Sequence, residues 1–181
     1  LPVGRHVLVG ASMGGMVAMH AALQGPERVA ALALLGTSAR ADTPELLRLR
    51  SDACELFAQG RMDEVLRANV LFAFHPAHAT DAALVGGYLE LVRRGGAGAL
   101  IRQNRAVMSR PDLRAGLHRI CCPTLVAVGD ADQLTTPEHA REIADAISGA
   151  RLEPVAGAGH MLTLEQPDRI NDLLLGWLAT L

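Results

Sequence analysis

Residues 6–23 read HVLVGASMGGMVAMHAAL. The first four, His6-Val7-Leu8-Val9, have the character of a short buried strand. A glycine-rich corner follows, and residues 13–24 then read as a small-residue helix closed by Gly25 and Pro26. The corner has the form G-x-S-x-G, with Ser12 between Gly10 and Gly14. A chain passing this sharply from strand to helix strains the serine backbone and lifts its hydroxyl clear of the sheet. Gly10 and Gly14 are expected there because side chains would collide in the turn. Gly15 and Ala18 are expected to let the helix lie close to the sheet. The helix N-terminus behind Ser12 favours negative charge, so the Met13 amide is placed to bind an oxyanion.

The wider chain sets limits on what this corner serves. Its 181 residues suffice for one domain with a core. Half are hydrophobic and only 3% aromatic, so that core must be built from Ala, Leu and Val. A formal net charge of −2 argues against a nucleic-acid partner, which usually calls for a basic excess. No apolar run approaches the ~18 residues of a membrane span; a cytoplasmic location is expected, in keeping with free thiols in a reducing compartment. Cys54, Cys121 and Cys122 form neither a disulfide framework nor a zinc pattern. They are expected to be buried thiols.

Further strands are expected at residues 29–35 (VAALALL), 122–128 and 151–156. Thr136 and Pro137 open a helix between the last two. A final helix begins near Pro167, with Ile170, Leu173, Leu174, Trp177, Leu178 and Leu181 on one apolar face. Strands alternating with helices point to a doubly wound parallel α/β sheet. Residues 40–118 differ: they show helical periodicity and no convincing strand. Thr43-Pro44-Glu45 opens one helix, further segments cover about 62–74, 81–94 and 98–109, and Gly95-Gly96 and Pro111 punctuate them. The expected organisation is a core of residues 1–39 and 119–181 with a helical cap of residues 40–118.

A serine hydroxyl needs a base to act as a nucleophile at neutral pH. Among seven histidines, His160 follows a strand in VAGAGHMLTLEQP, a loop of small residues. That places it at the C-terminal edge of the sheet, the edge that Ser12 occupies and where open α/β sheets gather ligands. Asp130 and Asp132, in AVGDADQLTTP, end another strand at the same edge. Either can serve a turn or cap a helix, but Asp132 lies further out, towards a neighbouring loop. The resulting order, Ser12, Asp132, His160, is the order that accompanies a nucleophile elbow.

With these motifs the sequence resembles the α/β-hydrolase superfamily, through VLVGASMGG, GPERVAALALLGTSA, CPTLVAVGDADQLTTPEHA and GAGHMLTLEQP. The resemblance implies that Asp132, closing G-x-x-D from Gly129, is the acid, that His160 is the base, and that residues 40–118 are the variable cap. It is closest in character to small esterases and enol-lactonases. It also implies strands five to eight of an eight-stranded sheet. The second oxyanion donor of the family, in a loop after its third strand, has no counterpart here. Since Leu1 is not a start residue, the expectation is a chain lacking the N-terminal half. The 6–9 strand would then offer an apolar edge to another copy or a missing segment.

The expected chemistry is hydrolysis of a small-molecule carboxylic ester or lactone through a Ser-His-Asp triad, with no metal and no organic cofactor. The same triad on this scaffold also fits carbon–carbon bond hydrolysis, acyl transfer or perhydrolysis. A weakly catalytic binding or sensing module, inactive as this chain alone, is the non-enzymatic alternative. Met13, Met16, Met161 and Leu162 are candidates to line the pocket. Arg93, Arg94, Arg102, Arg105 and Arg110 are read either as a solvated cap face or as a carboxylate site.

Overall fold

The computed structural model describes residues 3–181; Leu1, on which the start-residue argument turns, lies outside them. Four parallel strands form one sheet: β1 (His6–Ala11), β2 (Val29–Leu35), β3 (Thr124–Gly129) and β4 (Arg151–Val155), in the order β1-β2-β3-β4. The register sets Ala33 beside Val9 on one side and Leu125 on the other, so the C-terminal ends of all four strands finish along one edge. Pairing of β3 begins at Thr124 rather than at residue 122. Pro123 has no N–H to give a ladder, although its carbonyl still accepts from Leu32 N at 2.9 Å.

Alternation along β2 divides the core. Val29, Leu32 and Leu34 face one cluster with Val126 and Val128 of β3, covered by helices α1 (Met13–Gln24) and α5 (Pro137–Ala146). Ala31, Ala33 and Leu35 face the other cluster with Leu125, Leu162 and the last long helix, α7 (Pro167–Leu178). The small side chains on that face leave room for Trp177, the one tryptophan of the chain. Because both faces are covered, β2 and β3 are buried almost throughout, as parallel strands require. The apolar face of α7 is narrower than the sequence reading. Ile170, Leu173 and Trp177 are buried, whereas Leu178 is 40% exposed and Leu181, beyond the helix end, is 52% exposed.

Three helices lie between β2 and β3: α2 (Pro44–Ala58), α3 (Met62–Ala73) and α4 (Ala82–Met108). Thr43 caps α2 by accepting from Leu46 N, and Asp81 caps α4 by accepting from Ala83 N and Leu84 N. The Gly95-Gly96 punctuation proves to be a kink within α4: Gly96 sits at φ 74°, where a side chain is disfavoured. These helices have a core of their own, with Leu66, Val70, Tyr88 and Leu89 around Phe74. The Phe74 and Tyr88 rings meet edge to face at 5.3 Å.

The cysteines differ from expectation. All three are free, but Cys54 and Cys122 are only half-buried and Cys121 is exposed. The pair 121–122 stands ahead of the paired part of β3, outside the shielded sheet. At the opposite side of the sheet, β1 is an edge strand whose Val7 and Val9 are 39% and 52% exposed. Among the described residues no helix is long and apolar enough to cross a membrane.

Trp177→Ala is expected to lower unfolding free energy by ~3–5 kcal/mol. Leu175→Ala, on the solvent side of the same helix at 66% exposure, is expected to stay within about 0.5 kcal/mol. Urea denaturation of the two variants checks both.

Candidate active site

Ser12 joins β1 to α1 at φ 50°, ψ −117°, and among the described residues it is the one non-glycine with positive φ. Backbone held in such a region costs ~1–3 kcal/mol and persists only when its surroundings over-determine it. Here they do. Ser12 N donates to Leu35 O at 2.9 Å, tying the corner to the end of β2, and Thr37 Oγ1 donates to Ser12 O at 2.7 Å. A Cβ on Gly10 would lie 2.3 Å from Gly14 O, and one on Gly15 would lie 2.7 Å from Thr37. Gly14 is different: a Cβ there meets nothing within 4 Å. The expected crowding thus holds for Gly10 and not for Gly14.

A serine at a helix N-cap ordinarily turns its oxygen onto a first-turn amide. Ser12 makes no such side-chain bond. Its hydroxyl is instead 2.9 Å from Nε2 of His160. Met13, the first residue of α1, lies where helix amides have no partner within the helix.

His160 stands in the loop after β4 and is 7% exposed. Its Nδ1 is 2.9 Å from Oδ2 of Asp132. With a carboxylate as acceptor, the proton is assigned to Nδ1, and Nε2 is left to accept from Ser12. Asp132 is buried, and its oxygens are surrounded by donors: Leu134 N at 2.9 Å, Thr135 N at 2.8 Å and Thr135 Oγ1 at 2.9 Å. Burial alone pushes its carboxyl up. The hydrogen bond and charge of His160, with the Thr135 donors, outweigh that and hold it below the ordinary carboxylate value.

The neighbouring Asp130 takes the other role open to it. It accepts from Gly157 N at 3.1 Å and Ala158 N at 3.2 Å, fastening the His160 loop to the end of β3. Gly129 makes this closeness possible, since a Cβ there would lie 2.3 Å from the carbonyls of Ala158 and Gly159. Of the other histidines, His20 bonds Gln24, His75 accepts from Ala77 N, His78 meets Glu165, and His139 accepts from Thr136 N within the N-cap of α5. Burial, with the nearby Arg40 charge, holds His139 below its usual value. Sequence reasoning missed Thr135, whose hydroxyl also lies 3.1 Å from Nδ1 of His160. Its place three residues after Asp132 was the available signal, because an aspartate commonly accepts from backbone just downstream.

Beside the elbow is a cleft of about 360 Å³. Met13, Met16 and Val17 of α1 form one wall, and Ala39, Val107 and Leu113 face them. Met161 and Leu162, expected to line a pocket, lie elsewhere: Leu162 is buried against β2 and β3, and Met161 packs on the helical region. The arginines do not converge on an anion site. Arg93 grips Asp63 with two bonds, Arg94 pairs with Glu90, and Arg110 is held by the buried Asp42 and by Arg40 O. Arg102 and Arg105 are exposed. Among the described residues, no three His, Cys, Asp or Glu side chains are grouped to hold a metal ion.

The family described as alpha/beta hydrolase fold matches residues 1–167. Among solved structures, a thermophilic esterase from Thermogutta terrifontis superposes with a TM-score of 0.92 at 27% identity, over 98% of this chain and 65% of that one. The enol-lactonase from Burkholderia xenovorans LB400 superposes with a TM-score of 0.87 at 25% identity, over 98% of this chain and 66% of that one. Among curated proteins, a 2-hydroxy-6-oxo-6-phenylhexa-2,4-dienoate hydrolase from Comamonas testosteroni is 29% identical over 98% of this chain and 64% of its own length. The chain thus spans a little under two thirds of the length of these relatives.

Gly10→Ala is expected to destabilise by at least about 2 kcal/mol, since its Cβ meets backbone. Gly14→Ala should stabilise by roughly 0.5–1 kcal/mol through helix propensity. Thermal and urea unfolding separate them. A second expectation concerns acid. Because the folded value of Asp132 is depressed, its contribution to stability is present above the ordinary carboxylate range and is lost as pH falls below about 4 towards the folded value. Asp132→Asn should therefore flatten the decline of the urea midpoint between about pH 5 and pH 3.

Proposed function

The chain belongs to the α/β-hydrolase family, and from that footing we propose that it is a serine hydrolase acting on a carboxylic ester or lactone through an acyl-enzyme. The observation that carries this reading is the unbroken relay Ser12 Oγ, His160, Asp132, with both contacts at 2.9 Å, ending on a serine whose backbone is strained and whose hydroxyl does no capping. The relatives named as an esterase and an enol-lactonase support the same class.

In this reading Nε2 of His160 accepts the hydroxyl proton as Ser12 Oγ attacks the substrate carbonyl carbon. Asp132 holds the proton on Nδ1 and stabilises the imidazolium. The Met13 N–H, at the positive end of α1, donates to the oxyanion. His160 then returns its proton to the leaving oxygen. Water, deprotonated by the same imidazole, releases the acid and restores the serine. The low value of Asp132 suits it for this part, because it remains an anion whenever His160 takes up a proton. Residues 40–118 act as the cap that shapes the substrate site; the mostly apolar cleft reaches the elbow only through Met13, with neither Ser12 nor His160 in its lining. The place of β1 at the end of the sheet supports pairing of its free backbone edge with a further strand, and the exposed Val7 and Val9 mark a face left to be covered.

Ser12→Ala is expected to abolish covalent labelling by a fluorophosphonate probe and turnover of p-nitrophenyl acetate. Asp132→Asn should slow both by about 10³–10⁴-fold, because it favours the wrong imidazole tautomer. Labelling that persists in Ser12→Ala would remove the serine from the mechanism.

A further inference from the structure

One buried carboxylate next to the site has no part in the relay. Glu165 ends the short helix α6 (Leu162–Glu165), and its side chain has no solvent exposure. Its two oxygens face two different parts of the chain. Oε1 accepts from Gly159 N at 2.8 Å, in the loop that carries His160. Oε2 accepts from His75 N at 2.7 Å and lies 3.1 Å from Nδ1 of His78, both just beyond the C-terminal end of α3. Around these bonds the two segments are in backbone contact. Met161 N donates to Ala73 O at 3.0 Å, and a Cβ on Gly159 would lie 2.5 Å from His75 N. The residues on both sides of His160, Gly159 and Met161, are therefore each held by a hydrogen bond. One of these is made by Glu165 itself and the other by the segment Glu165 grips.

A burial this complete calls for full satisfaction of both oxygens by donors, and the donors here come from two segments far apart in sequence. We infer that Glu165 is a positioning residue: it clamps residues 75–78 of the helical region onto the His160 loop and thereby holds the imidazole in line between Ser12 and Asp132. The inference rests on the serine-hydrolase reading for its kinetic consequence but not for its geometry. An imidazole that must meet hydroxyl and carboxylate at 2.9 Å each has little room to drift, since a misplacement of about 1 Å can cost 10²-fold in rate. The same clamp makes the attachment of the helical region a condition of the alignment of His160.

Glu165→Gln tests this. The amide keeps the shape but has one acceptor oxygen, so its NH₂ must face either Gly159 N–H or His75 N–H, donor against donor. Two measurements are made on wild type and variant: fluorophosphonate inactivation resolved into the maximal rate and the probe affinity, and the downfield proton NMR signal of the His160 Nδ1–H bonded to Asp132. The expected result is a maximal inactivation rate lower by about tenfold or more, a probe affinity changed by less than about twofold, and a broadened or displaced resonance. A wild-type rate, or a resonance unchanged while the rate falls, overturns the inference. If Glu165→Gln does not fold, His78→Ala decides. It removes one donor at a partly exposed position and is expected to slow inactivation by about threefold with the same resonance change; wild-type behaviour overturns the inference. If the wild type itself is not labelled, the nucleophile reading fails, and the resonance alone then decides for or against the clamp.

Discussion

The His160 ring must make two hydrogen bonds at once, each 2.9 Å long, to groups carried by different strands. Hydrogen bonds weaken within a few tenths of an ångström and a few tens of degrees, so this double contact constrains everything that carries it. Parallel strands meet the constraint because their C-terminal ends share one edge. β1 delivers Ser12 there, β3 delivers Asp132, and β4 delivers His160. A strand running the other way would carry its loop to the far side of the molecule.

Approach of that kind has to be built from small residues and backbone. Gly10 lets the elbow fold back on Gly14, Gly129 lets β3 touch the 158–159 carbonyls, and Gly159 lets the His160 loop touch the end of α3. At each of these places a Cβ would lie 2.3–2.5 Å from a backbone atom. These glycines are not there for flexibility. None of the three has positive φ; each is the absence of a methyl group where two chains meet. Ser12 shows the complementary case, a side chain kept at positive φ, with its hydroxyl 2.9 Å from Nε2 of His160.

Three carboxylates near the edge illustrate how environment divides one chemistry. Asp130 ties turns together, Asp132 orients an imidazole, and Glu165 joins two segments. Burial disfavours the charge of Asp132, and its donors outweigh that. What differs is the donor set, which is backbone alone for Asp130 and includes the relay histidine for Asp132. The arginines follow the same logic on the helical region. Arg93, Arg94 and Arg110 already have acidic partners, which leaves a salted surface rather than a converging anion site.

Local sequence determined a good deal here. An apolar run such as VAALALL has few homes other than a strand covered on both faces. The Gly-x-Ser-x-Gly corner has one sharp geometry that suits it, and Thr136-Pro137 starts a helix by chemistry confined to neighbouring residues. These features depend on short-range sterics and hydrogen bonding, so they are legible in order along the chain, as was the sequence Ser12, Asp132, His160. Long-range contact decided the rest. The freedom at Gly14, the exposure of Cys121 and Leu178, the removal of Leu162 from the cleft, and the parts played by Thr135 and Glu165 each depend on what arrives from elsewhere in the chain. Pattern and spacing tell which face a residue turns inward. Only the packed structure decides what it meets there, because hydrogen bonds and steric gaps are set by distances that no stretch of sequence contains.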